Sequence, residues 1–123
     1  MEAKELMIGD WVNIKGCEIA QIRDLKDLLN VELGIFVASG VPLTEEILKA
    51  NGFEDETADF WKLRVDDKPH HYNFRLNKGG VFGGDGYNMN CNIYTITIKY
   101  VHQLQHALRL CGLTDMADNF KIS

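Results

Sequence analysis

"IYTITIKYVHQLQHALRLCGL", Ile93–Leu113, changes its hydrophobic period halfway along. Its first half alternates Ile93, Thr95, Thr97 and Lys99 with Tyr94, Ile96, Ile98 and Tyr100. A period of two marks a strand with one covered face. The second half has the helical period instead. Tyr100, Leu104, Ala107, Leu108 and Cys111 share one arc, with Val101 beside it, and His102, Gln105, His106 and Arg109 share the opposite arc. Gly112 suits the left-handed position after a helix, with Leu113 turning back onto Leu108. A strand that runs directly into a terminal amphipathic helix predicts an α+β fold.

Working back along the chain, the neighbouring stretches are β-rich. "FWKLRVDD" sets Trp61, Leu63 and Val65 against Lys62 and Arg64, and "HYNFRLN" sets Tyr72, Phe74 and Leu76 against Asn73 and Arg75. "DDKPHH" reads as the hairpin loop between them, Gly79-Gly80 as a second turn, and "GGDGYNMNCN" as a longer loop. An antiparallel meander of three or four strands over residues 58–99 is expected, with the terminal helix, 100–112, packed on it.

"VPLTEEILKANGF", Val41–Phe53, is a short helix over 44–52. Thr44 is its N-cap, Glu45 and Glu46 favour the positive end of the dipole, and Leu43 staples to Leu48. Gly52 ends it, with Phe53 folding back on Leu48. Residues 1–43 read as a small, curved, antiparallel sheet of SH3-like character. Val12 and Ile14 alternate with polar neighbours, Lys15-Gly16 turns, and "EIAQIRDL", "LLNVEL" and "GIFVAS" have strand composition. A helix over Ile22–Leu33 competes, because Leu25, Leu28, Leu29 and Leu33 have helical spacing. The strand reading is preferred. The whole is expected to form one domain, 1–123.

Composition narrows the function classes. The 123 residues carry 13 basic and 18 acidic side chains, a net charge of −5. Residues 45–67 hold eight acids and three bases, so that segment accounts for the whole imbalance. With no basic stripe, nucleic-acid binding driven by phosphate contacts is disfavoured. No apolar run reaches the roughly 18 residues of a membrane span. The start lacks a secretory apolar region, so a cytoplasmic location is expected. Cys17, Cys91 and Cys111 are scattered and form no C-x-x-C pair, the pattern of reduced structural thiols.

Three stretches invite a chemical reading. His102 and His106 stand at the i, i+4 spacing of a zinc chelate, but Gln103 occupies the place of the glutamate in H-E-x-x-H. "GGVFGGDGYNMN" is glycine-rich without the G-K-[ST] of a phosphate loop, and turns account for Gly79, Gly80, Gly83, Gly84 and Gly86. His70-His71 has no ordered cysteine partner. The sequence therefore assigns no catalytic residue, metal or cofactor.

Three segments in order carry a family resemblance. They are "ELMIGDWVNIKG" (5–16), "VPLTEEILKANGF" (41–53) and "IKYVHQLQHALRLCGL" (98–113). Together they resemble an uncharacterised family of small proteins of Bacteroides-type gut bacteria and their phages or integrated elements. Its members carry L-R-I-G-N-Y-V, P-L-T-E-E-W-L and Y-V-H-Q-L-Q-N patterns. This chain departs with His106 in place of the usual asparagine, and with "RLCGLTDMADNF" in place of the usual T-G-E-E-L ending. The resemblance implies a phage or mobile-element role inside a bacterial cell and no particular activity. The expected function is a non-enzymatic protein-interaction module, contacting a protein partner or a second copy through His102, Gln103, Gln105, His106 and Arg109. The alternatives are a small metal-dependent or hydrolytic enzyme using histidines and carboxylates, and an SH3-like nucleic-acid accessory domain.

Overall fold

The computed structural model describes residues 3–16, 18–55, 60–67, 70–78, 86–91 and 94–122. After a 3-10 turn at Ala3–Glu5, the elements are β1 (Trp11–Ile14), β2 (Ile19–Gln21), α1 (Leu25–Glu32), β3 (Ala38–Gly40), α2 (Glu45–Ala50), β4 (Glu54–Asp55), β5 (Phe60–Asp67), β6 (His70–Lys78), β7 (Tyr87–Cys91), β8 (Tyr94–Ile98), α3 (Val101–Leu110) and α4 (Thr114–Asp118). The fold is α+β with two antiparallel sheets. The chain forms two compact units. One joins Met1–Pro42 to Tyr100–Phe120, and the other joins Leu43–Lys99 to Lys121–Ser123.

The first unit holds a three-stranded sheet in the order β2-β1-β3. The strand period puts Val12, Ile14 and Ile22 on one face, where they join Leu6, Val31 and Ala38 in a buried cluster. Met7–Asp10 turns the chain into β1. Asp10 N–H donates to Met7 O at 3.1 Å, with Gly9 third in the turn at φ +99°. Gly9 N–H also donates to Ile22 O at 2.7 Å, and Ile22 N–H donates to Asp10 O at 2.8 Å. Gly9 and Asp10 thus oppose the single residue Ile22, a bulge that begins with a left-handed glycine. A β-carbon on Gly9 would lie 2.8 Å from Arg109 Nη2 and 2.9 Å from Asp118 Oδ1.

Residues 25–32 correct the strand reading of "LLNVEL": they form α1. Asp24 caps it, accepting from Asp27 N–H at 3.0 Å, and Asp27 Oδ2 accepts from Arg23 N–H at 2.9 Å. These two aspartates satisfy donors that a strand would have sent to a neighbour, and the helical leucine spacing prevails. "GIFVAS" contributes only its end to β3.

The second unit holds five strands in the order β4-β5-β6-β7-β8, each antiparallel to the next in sequence. Trp61 and Leu76 stand directly opposite each other, both buried, and Leu63 and Ile98 are buried as well. Lys78 Nζ lies 5.3 Å from the Trp61 ring centroid, within reach of a cation–π contact. Tyr87–Cys91, expected to be loop, is β7, in register with β8 from Tyr87–Ile98 to Cys91–Tyr94. Its asparagines hid it, yet one of them earns its place: Asn77 Nδ2 donates to Asn88 Oδ1 at 2.6 Å. The Gly79-Gly80 turn, Gly83, Gly84, Lys68-Pro69, Cys17 and Ile93 lie outside the described residues, as do the side chains of His70, His71 and Cys91.

Two helices end by the same device. In α2, Phe53 N–H donates to Leu48 O at 3.0 Å and Gly52 N–H to Lys49 O at 3.1 Å; in α3, Leu113 N–H donates to Leu108 O at 2.9 Å and Gly112 N–H to Arg109 O at 3.0 Å. Both glycines have positive φ, +86° and +81°. This is the six-to-one and five-to-two pattern that the N-G-F and C-G-L sequences imply. A short helix, α4, follows α3, and Phe120 just beyond it is buried. No described helix is long and apolar enough to cross a membrane.

Candidate functional site

The polar arc of α3 is the first place to look, and it does not face water. Gln105 is fully buried and His102 nearly so, Arg109 keeps only 10% of its side chain exposed, and His106 keeps 28%. The arc expected to meet a partner is therefore covered within the fold. The N-terminal turn, β1 and α4 cover it, and each supplies hydrogen-bond partners. Cys111, expected to face the core, is exposed.

Gln105 uses every polar position of its amide. Nε2 donates to Gly9 O at 2.7 Å and to Ala117 O at 2.9 Å, while Oε1 accepts from Trp11 N–H at 3.0 Å. Gln21 Nε2 reaches the same Gly9 oxygen at 2.9 Å and Asp118 O at 3.0 Å, and Trp11 Nε1 donates to Phe120 O at 2.8 Å. A buried network in which every member is paired fixes a single arrangement.

Asp10, also fully buried, is the charged centre of this face. Its Oδ2 accepts from Met7 N–H at 2.8 Å and lies 2.6 Å from His106 Nε2, and its Oδ1 accepts from Arg109 Nη1 at 2.7 Å. Arg109 Nη2 also donates to Ile8 O and to Asp118 Oδ1, each at 3.3 Å. A buried carboxylate persists as an ion only with such compensation. Beyond His106 the rings continue. His102 meets His106 edge-on with centroids 5.7 Å apart, and stacks on Tyr100 at 5.9 Å. His102 Nδ1 is buried with no hydrogen-bond partner among the described residues. Burial pushes the His102 pKa down; the Asp10 carboxylate opposes this, His106 reinforces it, and Glu5 opposes it. Gln103 caps the helix, its Oε1 accepting from Tyr100 N–H at 3.1 Å.

A cleft of about 350 Å³ opens among Glu5, Tyr100, His102, Gln103 and His106. An imidazole held by a buried carboxylate at the edge of a cleft has the geometry of a general base. None of the lining residues is a serine, threonine or cysteine nucleophile. Among the described residues, no group of three or more His, Cys, Asp or Glu side chains is placed to hold a metal ion. The arrangement chiefly locks α3 and α4 to the N-terminal turn. Of the five residues marked in the sequence, the structure gathers His102, Gln105, His106 and Arg109 around Asp10. Asp10 itself was missed, and "MIGDW" was its signal: a glycine turn that delivers an acid beside a tryptophan.

The exposed surface that stands out is on α1. Val31 faces the core, while Leu25, Leu29 and Leu33, spaced by four, are 74%, 54% and 64% exposed. Ile35 and Val37 extend the apolar surface beyond the helix. The leucine spacing was legible in the sequence, but a periodicity identifies one apolar face and does not say whether that face is covered.

No protein-family model, curated protein or solved structure matches the chain.

Proposed function

We propose that this chain is a non-enzymatic protein-interaction module of phage or mobile-element origin, working in the bacterial cytoplasm, and that α1 docks against a second copy of the chain. The supporting observation is the leucine stripe. An apolar patch on the order of several hundred Å² marks an association site more often than a bare surface. Two such patches face to face would remove on the order of 1,000 Å² from water, the lower limit for a specific interface. The segment around the stripe carries Arg23 and Lys26 as well as Asp24, Asp27 and Glu32, so like charge does not oppose pairing there. The α3 residues support the fold and leave docking to α1. Sedimentation velocity over a range of concentrations tests this. The wild type forms a reversible dimer, and Leu25→Glu with Leu29→Glu stays monomeric with an unchanged melting curve. A wild type that stays monomeric throughout refutes the reading.

A second reading, a small hydrolytic enzyme, is favoured by His106 on Asp10 beside the cleft. It requires hydrolysis of an activated ester that His106→Gln abolishes while the fold persists.

A further inference from the structure

We propose that the free edge of β2 is a docking site for an extended peptide segment of a partner protein, which adds to the small sheet as a fourth strand. β2 is an outer strand of that sheet. Its ladder to β1 places Ala20 opposite Val12. On either side, Ile22 N–H donates to Asp10 O, and Glu18 O accepts from Ile14 N–H. Strand groups alternate in direction, so the N–H and C=O of Ile19 and Gln21 point away from β1, to the open edge. Among the described residues no hydrogen bond reaches those four groups. They are a template for another backbone.

The same edge has a place for side chains. A cleft of about 500 Å³ lies under it, lined by Ile14, Ala20, Ile22 and Phe36 with Asp27 and Arg23 at the rim. Ala20, Leu28 and Phe36 are the partly buried margin of the core cluster. The core is thus open where a fourth strand would lie, and the inward side chains of such a strand would fill it. Charge defines the occupant further. The Arg23 side chain is 81% exposed and approaches Asp27 only to 3.7 Å, which leaves its donors for a carboxylate. Glu18 is exposed at the other end of β2. The fitting segment alternates large apolar residues with polar ones and carries an acid beside Arg23. A second β2, paired about Ala20, would turn Glu18, Ala20 and Ile22 toward the cleft side, and since Ile22 is already buried in its own core, only Ala20 and Glu18 would be left to fill it.

The inference deepens the reading of the chain as an interaction module, but it does not use the exposed leucines of α1, so the two can fail separately. The test is selection of the full chain against a displayed library of random peptides of about eight residues, followed by titration of the selected synthetic peptide. Apolar-x-apolar sequences with a terminal acid are expected, with Ile19 and Gln21 amides protected from exchange and the Leu29 and Leu33 amides unchanged. Ile19→Pro removes an outward N–H and leaves the ladder to β1 intact. It should weaken binding at least about tenfold, equivalent to about 1.4 kcal/mol. Methylating the peptide nitrogens on the β2 side should weaken it equally, a control that holds even if the proline variant unfolds. Arg23→Glu should reverse the preference from acidic to basic peptides. No enrichment of an alternating pattern, or equal binding of the methylated peptide, overturns the proposal. Concentration-dependent protection of Ile19 and Gln21 without peptide assigns the edge to a second copy and also overturns it.

Discussion

Gln105 carries three hydrogen bonds from one amide, and the three groups it meets differ in what else they bond. Gly9 O keeps Gln21 as a donor and Ala117 O keeps Phe120 N–H at 3.4 Å, whereas Trp11 N–H depends on Gln105. Gln105→Leu keeps a side chain of similar volume and leaves the part-buried Trp11 N–H unpaired, at a cost of about 1–3 kcal/mol. Urea denaturation measures it; a loss below about half a kcal/mol would show that water reaches the site. His102 contributes a pH dependence. Its pKa is lowered from 6.5, chiefly by burial, so below 6.5 the unfolded chain binds more protons than the folded one. Its contribution to stability is complete above 6.5 and is lost as pH falls toward the folded value. His102→Phe keeps a ring against Tyr100 and has no proton to bind. Its denaturation midpoint should fall less steeply below pH 6.5 than that of the wild type. Equal slopes would mean that His102 titrates as it does in the unfolded chain.

At the scale of elements, helix ends were legible and helix faces were not. Thr44, Gly52 and Phe53 act within a few residues of one another, as do Leu108, Gly112 and Leu113, so local sequence specifies their bonds. Which face of a helix is covered depends on segments far away in the chain. The polar arc of α3 meets a turn 96 residues earlier, between Gly9 and Gln105, and the leucine arc of α1 divides, with Leu28 packed against the core cluster and Leu25, Leu29 and Leu33 exposed. Hydrophobicity cannot distinguish a polar side chain with water around it from one with paired carbonyls around it. Glycine substitutions separate local from distant causes. Gly112 has φ +81° with nothing within 4 Å of an added β-carbon, so Gly112→Ala costs the backbone strain alone, about 1–2 kcal/mol. Gly9→Ala adds contact with Arg109 and Asp118 to the same strain and should cost more. Equal losses in thermal melts would show that the Arg109 contacts yield freely. Leu48 and Leu108, fully buried at the two capping motifs, should each lose about 2–5 kcal/mol on truncation to Ala. Losses under about half a kcal/mol at both would remove them from the core.

At the scale of the molecule, the first unit is assembled from both ends of the chain, and α4 with its exit is what the N-terminal segment holds. Three side-chain donors depend on main-chain oxygens there: Gln105 Nε2 on Ala117 O, Gln21 Nε2 on Asp118 O, and Trp11 Nε1 on Phe120 O. Arg109 also loses Asp118 if that segment is removed. Ending the chain after Leu113 leaves the helix-ending bonds of α3 intact, since Leu113 N–H supplies the last of them. The loss therefore falls on tertiary packing. Ala117 and Phe120 leave the apolar core, Trp11 Nε1 loses its acceptor, and Gln105 Nε2 keeps only Gly9 O. Losing a fully buried aromatic side chain such as Phe120 costs about 1.5–3 kcal/mol, which is large against the marginal stability of a domain. The second unit builds its ladders from residues 54–98, and the truncation takes from it the pairing of Asn51 with Lys121, where Asn51 Nδ2 donates to Lys121 O and Lys121 N–H donates to Asn51 Oδ1, each at 2.7 Å. Hydrogen exchange of the truncated chain should show β1 and β2 amides losing protection while the β5–β6 ladder keeps most of its own. If both sets fall together, the two units unfold as one. If neither falls, the C-terminal oxygens are not what secures the N-terminal turn.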